Sequence, residues 1–241
     1  MENNKFRILA DGCAAFGINL TERQIQQFGM YYELLIEWNK IMNLTGITEF
    51  DEVMLKHFVD SAAIAKKIEL EEKKSLIDVG TGAGFPGIPL KIIYPHLDVV
   101  LLDSLNKRIK FLNEVVDKLG LFGVKTIHGR AEDAAKRPEY REGFEIVVSR
   151  AVANLAVLSE YCLPFAKKCG YFISYKSGSV DEEVNEAKKA IHVLGGEVKN
   201  IEKFCLPHSD MERSFVIIEK VKDTPKKYPR KAGMPVKEAI H

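Results

Sequence analysis

The chain has 241 residues, of which 46% are hydrophobic and 29% charged, and its formal net charge is +1. At roughly 150 residues per domain, that is one large domain or one with a small appendage, apolar enough to bury a core. The near-neutral balance excludes a whole-surface basic field, and the lack of any run of about 18 apolar residues excludes an ordinary transmembrane helix.

The start, Met1-Glu2-Asn3-Asn4-Lys5, lacks a basic segment followed by an apolar one, so a cytoplasmic protein with no membrane partner is expected. Cys13, Cys162, Cys169 and Cys205 form no C-x-x-C pair and, with six scattered histidines, offer no metal pattern; they read as reduced cysteines packed as small hydrophobes. Nothing calls for an obligate dimer, and a monomer is the expectation. Charge is unevenly spread. Residues 1–74 carry nine Lys/Arg against twelve Asp/Glu, whereas residues 220–241 carry seven against two. A neutral body with a basic end points to local contact with an anion.

Residues 1–72 read as a helical extension packed on the core. Thr21-Glu22-Arg23-Gln24 is a capping-box pattern ahead of Ile25, Phe28, Tyr32 and Leu35 at helical spacing. Thr48-Glu49-Phe50-Asp51 opens another predicted helix running to about Lys66, and the charged stretch Glu69-Leu70-Glu71-Glu72-Lys73-Lys74 reads as a surface linker. Over residues 73–221 short apolar runs alternate with amphipathic stretches. Leu76-Ile77-Asp78-Val79, Val99-Val100-Leu101-Leu102, Val124-Lys125-Thr126-Ile127, Ile146-Val147-Val148 and Tyr171-Phe172-Ile173-Ser174 are predicted strands. Leu105, Ile109, Leu112, Val116 and Leu119, then Val152, Leu155, Leu158, Cys162 and Phe165, are predicted helical faces. This alternation predicts an α/β fold with a mostly parallel sheet covered on both faces, and two further runs near Val198 and Ser214 close it as an antiparallel edge. Residues 222–241 read as an irregular basic tail.

The chemistry concentrates at strand ends. Asp78-Val79-Gly80-Thr81-Gly82-Ala83-Gly84-Phe85-Pro86-Gly87 follows the first strand and leads into a helix, the place where open α/β sheets bind ligands. A dinucleotide loop wants G-x-G-x-x-G from the strand end. From Gly80 the third glycine is missing, and from Gly82 the strand ends two residues too early. The D-x-G-x-G-x-G of S-adenosylmethionine-dependent methyltransferases fits without adjustment. Asp103, ending the second strand, is placed to accept ribose hydroxyls, a role that both nucleoside cofactors share. His128-Gly129-Arg130-Ala131-Glu132-Asp133 forms the third corner, placed to read an adenine edge, and Arg150 puts a cation at the fourth. His57 and Asp60 lie one helical turn apart, either bordering the site or packing within the extension.

At this point the sequence resembles the ribosomal RNA small-subunit methyltransferase G family, also called glucose-inhibited division protein B. The resemblance runs through Trp38-Asn39-Lys40-Ile41-Met42-Asn43-Leu44-Thr45, His57-Phe58-Val59-Asp60-Ser61 and Asp78 to Pro89. It continues in Asp103-Ser104-Leu105-Asn106-Lys107-Arg108-Ile109, Gly129-Arg130-Ala131-Glu132, Ser149-Arg150-Ala151-Val152-Ala153 and Thr224-Pro225-Lys226-Lys227-Tyr228-Pro229-Arg230-Lys231. Tyr175-Lys176-Ser177-Gly178 departs from the family's Lys-Gly junction.

The resemblance implies a class I methyltransferase fold, Rossmann-like, with an N-terminal helical extension. It implies methyl transfer from S-adenosylmethionine to N7 of a guanine in the 530 loop of 16S ribosomal RNA, within the small subunit or an assembly intermediate. By similarity, cofactor contacts fall on Gly80, Phe85, Asp103, Ala131, Glu132 and Arg150, with Gly82 and Gly84 completing the loop. Guanine N7 carries a free lone pair and no proton, so its methylation needs no general base. The fourth strand end lacks the Asn/Asp-Pro-Pro-aromatic turn that holds exocyclic amines, which agrees with an N7 target.

Arg150 is therefore expected to position cofactor or RNA, with His57 and Asp60 as neighbouring candidates. Lys220, Lys222, Lys226, Lys227, Arg230 and Lys231 are expected to meet phosphates, with Tyr228 stacking on a base. Five neutralised phosphates predict a salt slope of about −3.5 on single-stranded RNA. Lys107, Arg108 and Lys110 are further cationic candidates. Two other readings stand beside this one: an NAD-dependent oxidoreductase using the same loop and Asp103, and a non-catalytic RNA-binding or ribosome-assembly module.

Overall fold

The computed structural model describes residues 5–68, 70, 72, 74–150 and 153–240. Glu69, Glu71 and Lys73 of the expected linker, and Ala151 and Val152 of the fourth corner, lie outside the described residues. The linker's Leu70 is buried, and its carbonyl accepts from His96 Nε2 at 2.6 Å.

All seven predicted strands form. They are β1 (Ser75–Val79), β2 (Asp98–Asp103), β3 (Val124–His128), β4 (Phe144–Arg150), β5 (Ala166–Ser177), β6 (Gly196–Cys205) and β7 (Glu212–Lys220). Their spatial order is β3-β2-β1-β4-β5-β7-β6, with β7 antiparallel to both neighbours and the other pairs parallel. The order reverses between β1 and β4, so a crevice opens at their carboxyl ends. Side chains alternate across the sheet. Leu76, Leu101, Ile146, Val148 and Ile173 enter one apolar cluster, while Ile77, Val79, Leu102, Val147 and Phe172 enter the other.

The first face is covered by α5 (Gly87–Ile93), α6 (Asn106–Lys118) and the N-terminal helices α1 (Arg7–Ala14) and α2 (Glu22–Asn39). Leu9, Phe28, Tyr31, Leu35 and Phe58 share one cluster with Leu76 and Leu101, so extension and sheet have a common core. The capping box on α2 forms: Thr21 Oγ1 accepts from Gln24 N at 3.3 Å, and Thr21 N donates to Gln24 Oε1 at 2.9 Å. Tyr31 is the tyrosine that α2 buries, while Tyr32 stays half-buried and donates to the Thr48 carbonyl.

The predicted helix from Thr48 to Lys66 is not one regular α-helix. It starts at α3 (Phe50–Val53) with Glu49 as an N-cap that makes no side-chain bond. It passes through a π-helical turn (Met54–Val59) into α4 (Asp60–Ala62), and ends in a 3-10 turn (Ala63–Lys66). Such single π turns concentrate at functional sites, and this one carries Lys56 and His57.

The second face is covered by α7 (Ala131–Ala134), α8 (Leu155–Cys162) and α9 (Asp181–Val193). Asn154 caps α8 by accepting from Val157 N at 3.0 Å. The helix stops short of its predicted end at Phe165, because Pro164 lies in a 3-10 turn and β5 begins at Ala166. The last helix among the described residues is α10 (Met234–Lys237).

Candidate active site

Two cavities open at the carboxyl edge of the sheet. The first, about 340 Å³, lies beyond β1, β2 and β3 and is walled by Gly80, Asp103, Arg108, Gly129, Ala131, Glu132 and Tyr161. Gly80 and Gly82 adopt φ of 72° and 60°, which lets the chain leave β1 in a turn that side chains resist. Gly82 N donates to Asp103 Oδ2 at 2.9 Å, and Leu105 N to Oδ1 at 2.8 Å, so one buried carboxylate joins the two strand ends. Arg108 adds a longer contact to Oδ2 at 3.3 Å. A Cβ on Gly129 would meet nothing within 4 Å, leaving that corner open.

Behind the loop, Asp78 Oδ2 accepts from Thr81 Oγ1 at 2.7 Å and Gly87 N at 2.8 Å. Oδ1 has no partner among the described residues. Burial pushes this carboxyl up to about 6 against the pull of its two hydrogen bonds.

The second cavity, about 300 Å³, is walled by Lys56, His57, Asp60, Arg150, Lys176 and Arg213, with Tyr175 and Phe215. Asp60 is its organising charge: Oδ2 accepts from Arg150 at 2.8 Å and Oδ1 from Arg213 Nε at 2.8 Å. Arg150 also donates to the Lys56 carbonyl at 3.2 Å and lies over the Phe85 ring, 4.9 Å from its centroid.

The His57 ring stacks on Phe85 with centroids 4.6 Å apart. Its Nδ1 lies 3.3 Å from an Arg150 nitrogen and its Nε2 2.8 Å from Thr45 Oγ1. Nδ1 also lies 3.2 Å from the Lys56 carbonyl, so it faces an acceptor and a donor at nearly equal distance, while Thr45 Oγ1 can take either role toward Nε2. Burial first, and then the Arg150 cation, lower His57 to about 3, so the ring is neutral.

A model of the family described as GidB, rRNA small subunit methyltransferase G, matches residues 24–214. The ribosomal RNA small subunit methyltransferase G of Lachnoclostridium phytofermentans is 55% identical over 226 residues, covering 94% of this chain and 93% of that protein. Its counterpart in Desulforamulus reducens is 57% identical over 222 residues, covering 92% of each. This chain belongs to the rRNA small subunit methyltransferase G family. In fold it is similar to an Aquifex aeolicus SAM-dependent methyltransferase, with TM-score 0.52 and 22% identity over 69% of this chain and 93% of that one. It is likewise similar to M. jannaschii TYW2 in complex with AdoMet, with TM-score 0.51 and 15% identity over 63% and 71%. Family membership displaces the oxidoreductase and the non-catalytic readings.

For this methyltransferase G family member, the first cavity gathers Gly80, Asp103, Ala131 and Glu132, and Gly82 joins them through Asp103. Gly84, Phe85 and Arg150 do not line this cavity. A Cβ on Gly84 would lie 2.5 Å from the Tyr31 hydroxyl, so this glycine makes room for the extension. Phe85 is wedged among His57, Tyr31 and Phe58, and Arg150 belongs to the second cavity with His57 and Asp60.

The basic C-terminal segment needs the larger correction. Lys220 is wholly buried, donating to the Leu163 carbonyl and Thr224 Oγ1 and pairing with Glu142. Arg230 is committed to Glu160 through Nε at 2.9 Å and a terminal nitrogen at 2.6 Å. Lys220 is thereby withdrawn from any phosphate, while Arg230 is a quarter exposed and holds Glu160 through two of its nitrogens. The Tyr228 carbonyl accepts from Arg141 at 3.0 Å, and its ring lies 5.2 Å under Lys227 Nζ. Lys222, Lys226, Lys227 and Lys231 remain exposed. Arg108, also a phosphate candidate, turns to Asp103 instead. Sequence reading missed Tyr31, Tyr161 and Arg213. Tyr31 and Arg213 act through Ala83 and Asp60, each distant in sequence, Tyr161 lines the first cavity, and no local pattern marks any of them.

Proposed function

We propose that the chain transfers the methyl group of S-adenosylmethionine to N7 of a guanine in the 530 loop of 16S ribosomal RNA. The observation that carries this reading is the first cavity, where the glycine loop and the Asp103 carboxylate form one wall. Its volume lies in the range of small-molecule sites. The residues present fit the cofactor. Asp103 keeps acceptor capacity beyond its two amide partners, Arg108 at 3.3 Å is its weakest contact, and Gly129 leaves the third corner open.

When bound, the cofactor supplies an electrophilic methyl group on a sulfonium. Guanine N7 offers a free lone pair and carries no proton, so accepting that methyl group would ask no residue of the chain to act as a base. The chain's residues accordingly position rather than titrate. Asp103 would hold ribose hydroxyls, and the corner at Gly129 to Glu132 would face the base. His57, neutral and engaged at both ring nitrogens, packs between Phe85 and Arg150 instead of accepting a proton. Orientation of this kind supplies up to roughly 7–11 kcal/mol of a barrier.

The second cavity receives the target nucleotide; of the cations in its wall, Arg150 and Arg213 pair with Asp60, Lys56 with Glu52 and Lys176 with Glu183. Lys226, Lys227 and Lys231 lie exposed and meet RNA phosphates. The deciding experiment is label transfer from methyl-labelled S-adenosylmethionine to small subunits lacking the modification, followed by mapping of the labelled base. Label on one guanine N7 in the 530 loop supports the reading. Label on another base keeps the methyltransferase and overturns the target.

A further inference from the structure

After β7 the chain does not leave the body but runs back across the helices beside the first cavity. Its ties fall in sequence. Thr224 N donates to Glu142 at 2.7 Å, and Arg141 donates to the carbonyls of Thr224 at 2.8 Å and Tyr228 at 3.0 Å. Pro229 and Pro235 are buried, and Tyr228, Ala239 and Ile240 pack against the apolar cluster of this face.

The last two polar ties reach the cavity wall. Arg230 grips Glu160 on α8 with its backbone N–H at 2.8 Å and its guanidinium at 2.6–3.1 Å, and Glu160 is 1% exposed. The next residue of α8, Tyr161, lines the first cavity. Gly233, held at φ 83°, donates its N–H to Glu132 Oε1 at 2.9 Å, and Glu132 itself lines that cavity.

We propose that Arg230 and the Gly233 amide form a strap that positions the cofactor wall, Arg230 acting through Glu160 on Tyr161 and Gly233 acting directly on Glu132. This rests on the reading of the first cavity as the S-adenosylmethionine site. The physical reason is that a carboxylate as buried as Glu160 does not keep its place without its cation. Without Arg230, α8 moves to bring Glu160 to water, or the Glu160 side chain swings out of its place. Either change shifts Tyr161, and releasing the strap frees Glu132 to turn. The basic residues of this segment thus divide: Arg230 serves the cofactor, while exposed Lys226, Lys227 and Lys231 serve RNA.

The test titrates S-adenosylmethionine into the full chain by calorimetry, comparing wild type with Arg230→Ala, Arg230→Lys and the double variant Arg230→Gln/Glu160→Gln. Steady-state kinetics and the salt dependence of RNA binding accompany it. Arg230→Ala is expected to raise the cofactor Kd and KM about tenfold, with kcat at saturating cofactor retained and the RNA salt slope unchanged. Arg230→Lys, which keeps the charge but not the fork, is expected between wild type and Arg230→Ala. If Arg230→Ala does not fold, the double variant, which leaves no buried charge unpaired, decides the matter by the same readouts. Wild-type cofactor affinity in the folded variants overturns the proposal. So does a fall in kcat with no change in KM for the cofactor, or a reduced salt slope. A wild type that binds no S-adenosylmethionine overturns the cofactor reading itself and this proposal with it.

Discussion

The hydroxyl of Tyr31, in the N-terminal extension, donates to the carbonyl of Ala83 in the glycine loop. Tyr31 is wholly buried, and burial raises its phenol well above the ordinary range, so the donor keeps its proton at any working pH. Gly84 beside it adopts φ 96°, and a Cβ there would also lie 2.6 Å from Ile88 Cδ1. The extension therefore shapes the loop that turns the chain toward the first cavity.

Tyr31→Phe leaves the Ala83 carbonyl buried without its partner, and a loss of about 1–3 kcal/mol in unfolding free energy is expected. Denaturant unfolding measures it, and a weaker cofactor Kd in the same variant reads out the coupling to the loop. Unchanged cofactor affinity would confine Tyr31 to stability.

Asp103→Ala removes the carboxylate that joins the glycine loop to β2 and faces the first cavity. Hydrogen bonds to a charged group contribute about 1.5–3 kcal/mol, so cofactor affinity is expected to fall at least tenfold. Equilibrium binding of the labelled cofactor measures this directly.

Asp60→Ala strands two arginines at once, because Arg150 and Arg213 share that carboxylate from different strands. Breaking a largely buried pair costs about 3–5 kcal/mol, so thermal stability is expected to drop. Activity on RNA is expected to fall further than cofactor affinity, since Asp60 belongs to the second cavity. Parallel measurement of KM for RNA and Kd for cofactor separates the two.

Two groups give stability opposite slopes in acid. His57, lowered from 6.5 to about 3, binds its proton more readily when unfolded, so its contribution is full above pH 6.5 and is lost as pH falls toward 3. Asp78, raised from 3.8 to about 6, holds its proton more tightly when folded, so its contribution is full below pH 3.8 and is lost as pH rises through 6. Urea unfolding between pH 7 and pH 4 is expected to show a shallower acid loss in His57→Gln and a steeper one in Asp78→Asn than in wild type.

Replacing Lys226, Lys227 and Lys231 by Ala together is expected to flatten the salt dependence of RNA binding by a slope of about 2 on single-stranded RNA. Filter binding across a salt series measures it. A slope equal to wild type would remove these lysines from the interface.

The strands were legible because each carries a short apolar run, and the glycine loop because its residue types admit few alternatives. Strand order was not legible, since nothing local says that β4 lies beside β1. Arg213 shows why the second cavity was half-read: it meets Asp60 across 153 positions, and one arginine in Met211-Glu212-Arg213-Ser214 carries no pattern. The tail was misjudged for a related reason. Its cations were visible as composition, but the acids that claim Lys220 and Arg230, Glu142 and Glu160, lie 78 and 70 positions away, in helix and turn segments that look solvent-facing. Charge counted along a chain overstates what is free whenever burial has already matched it.

The π-helical turn at Met54–Val59 makes this stretch sensitive to length in a way that the surrounding loops are not. Each residue of an α-helix advances the chain by about 100°. Deleting one residue there, the change that would restore regular winding, swings Asp60 around the axis by about that angle. The same deletion draws all that follows roughly 1.5 Å along it. Both arginines would then face empty space while every residue type in the site remained in place. Insertions and deletions, more than substitutions, are what this segment cannot absorb.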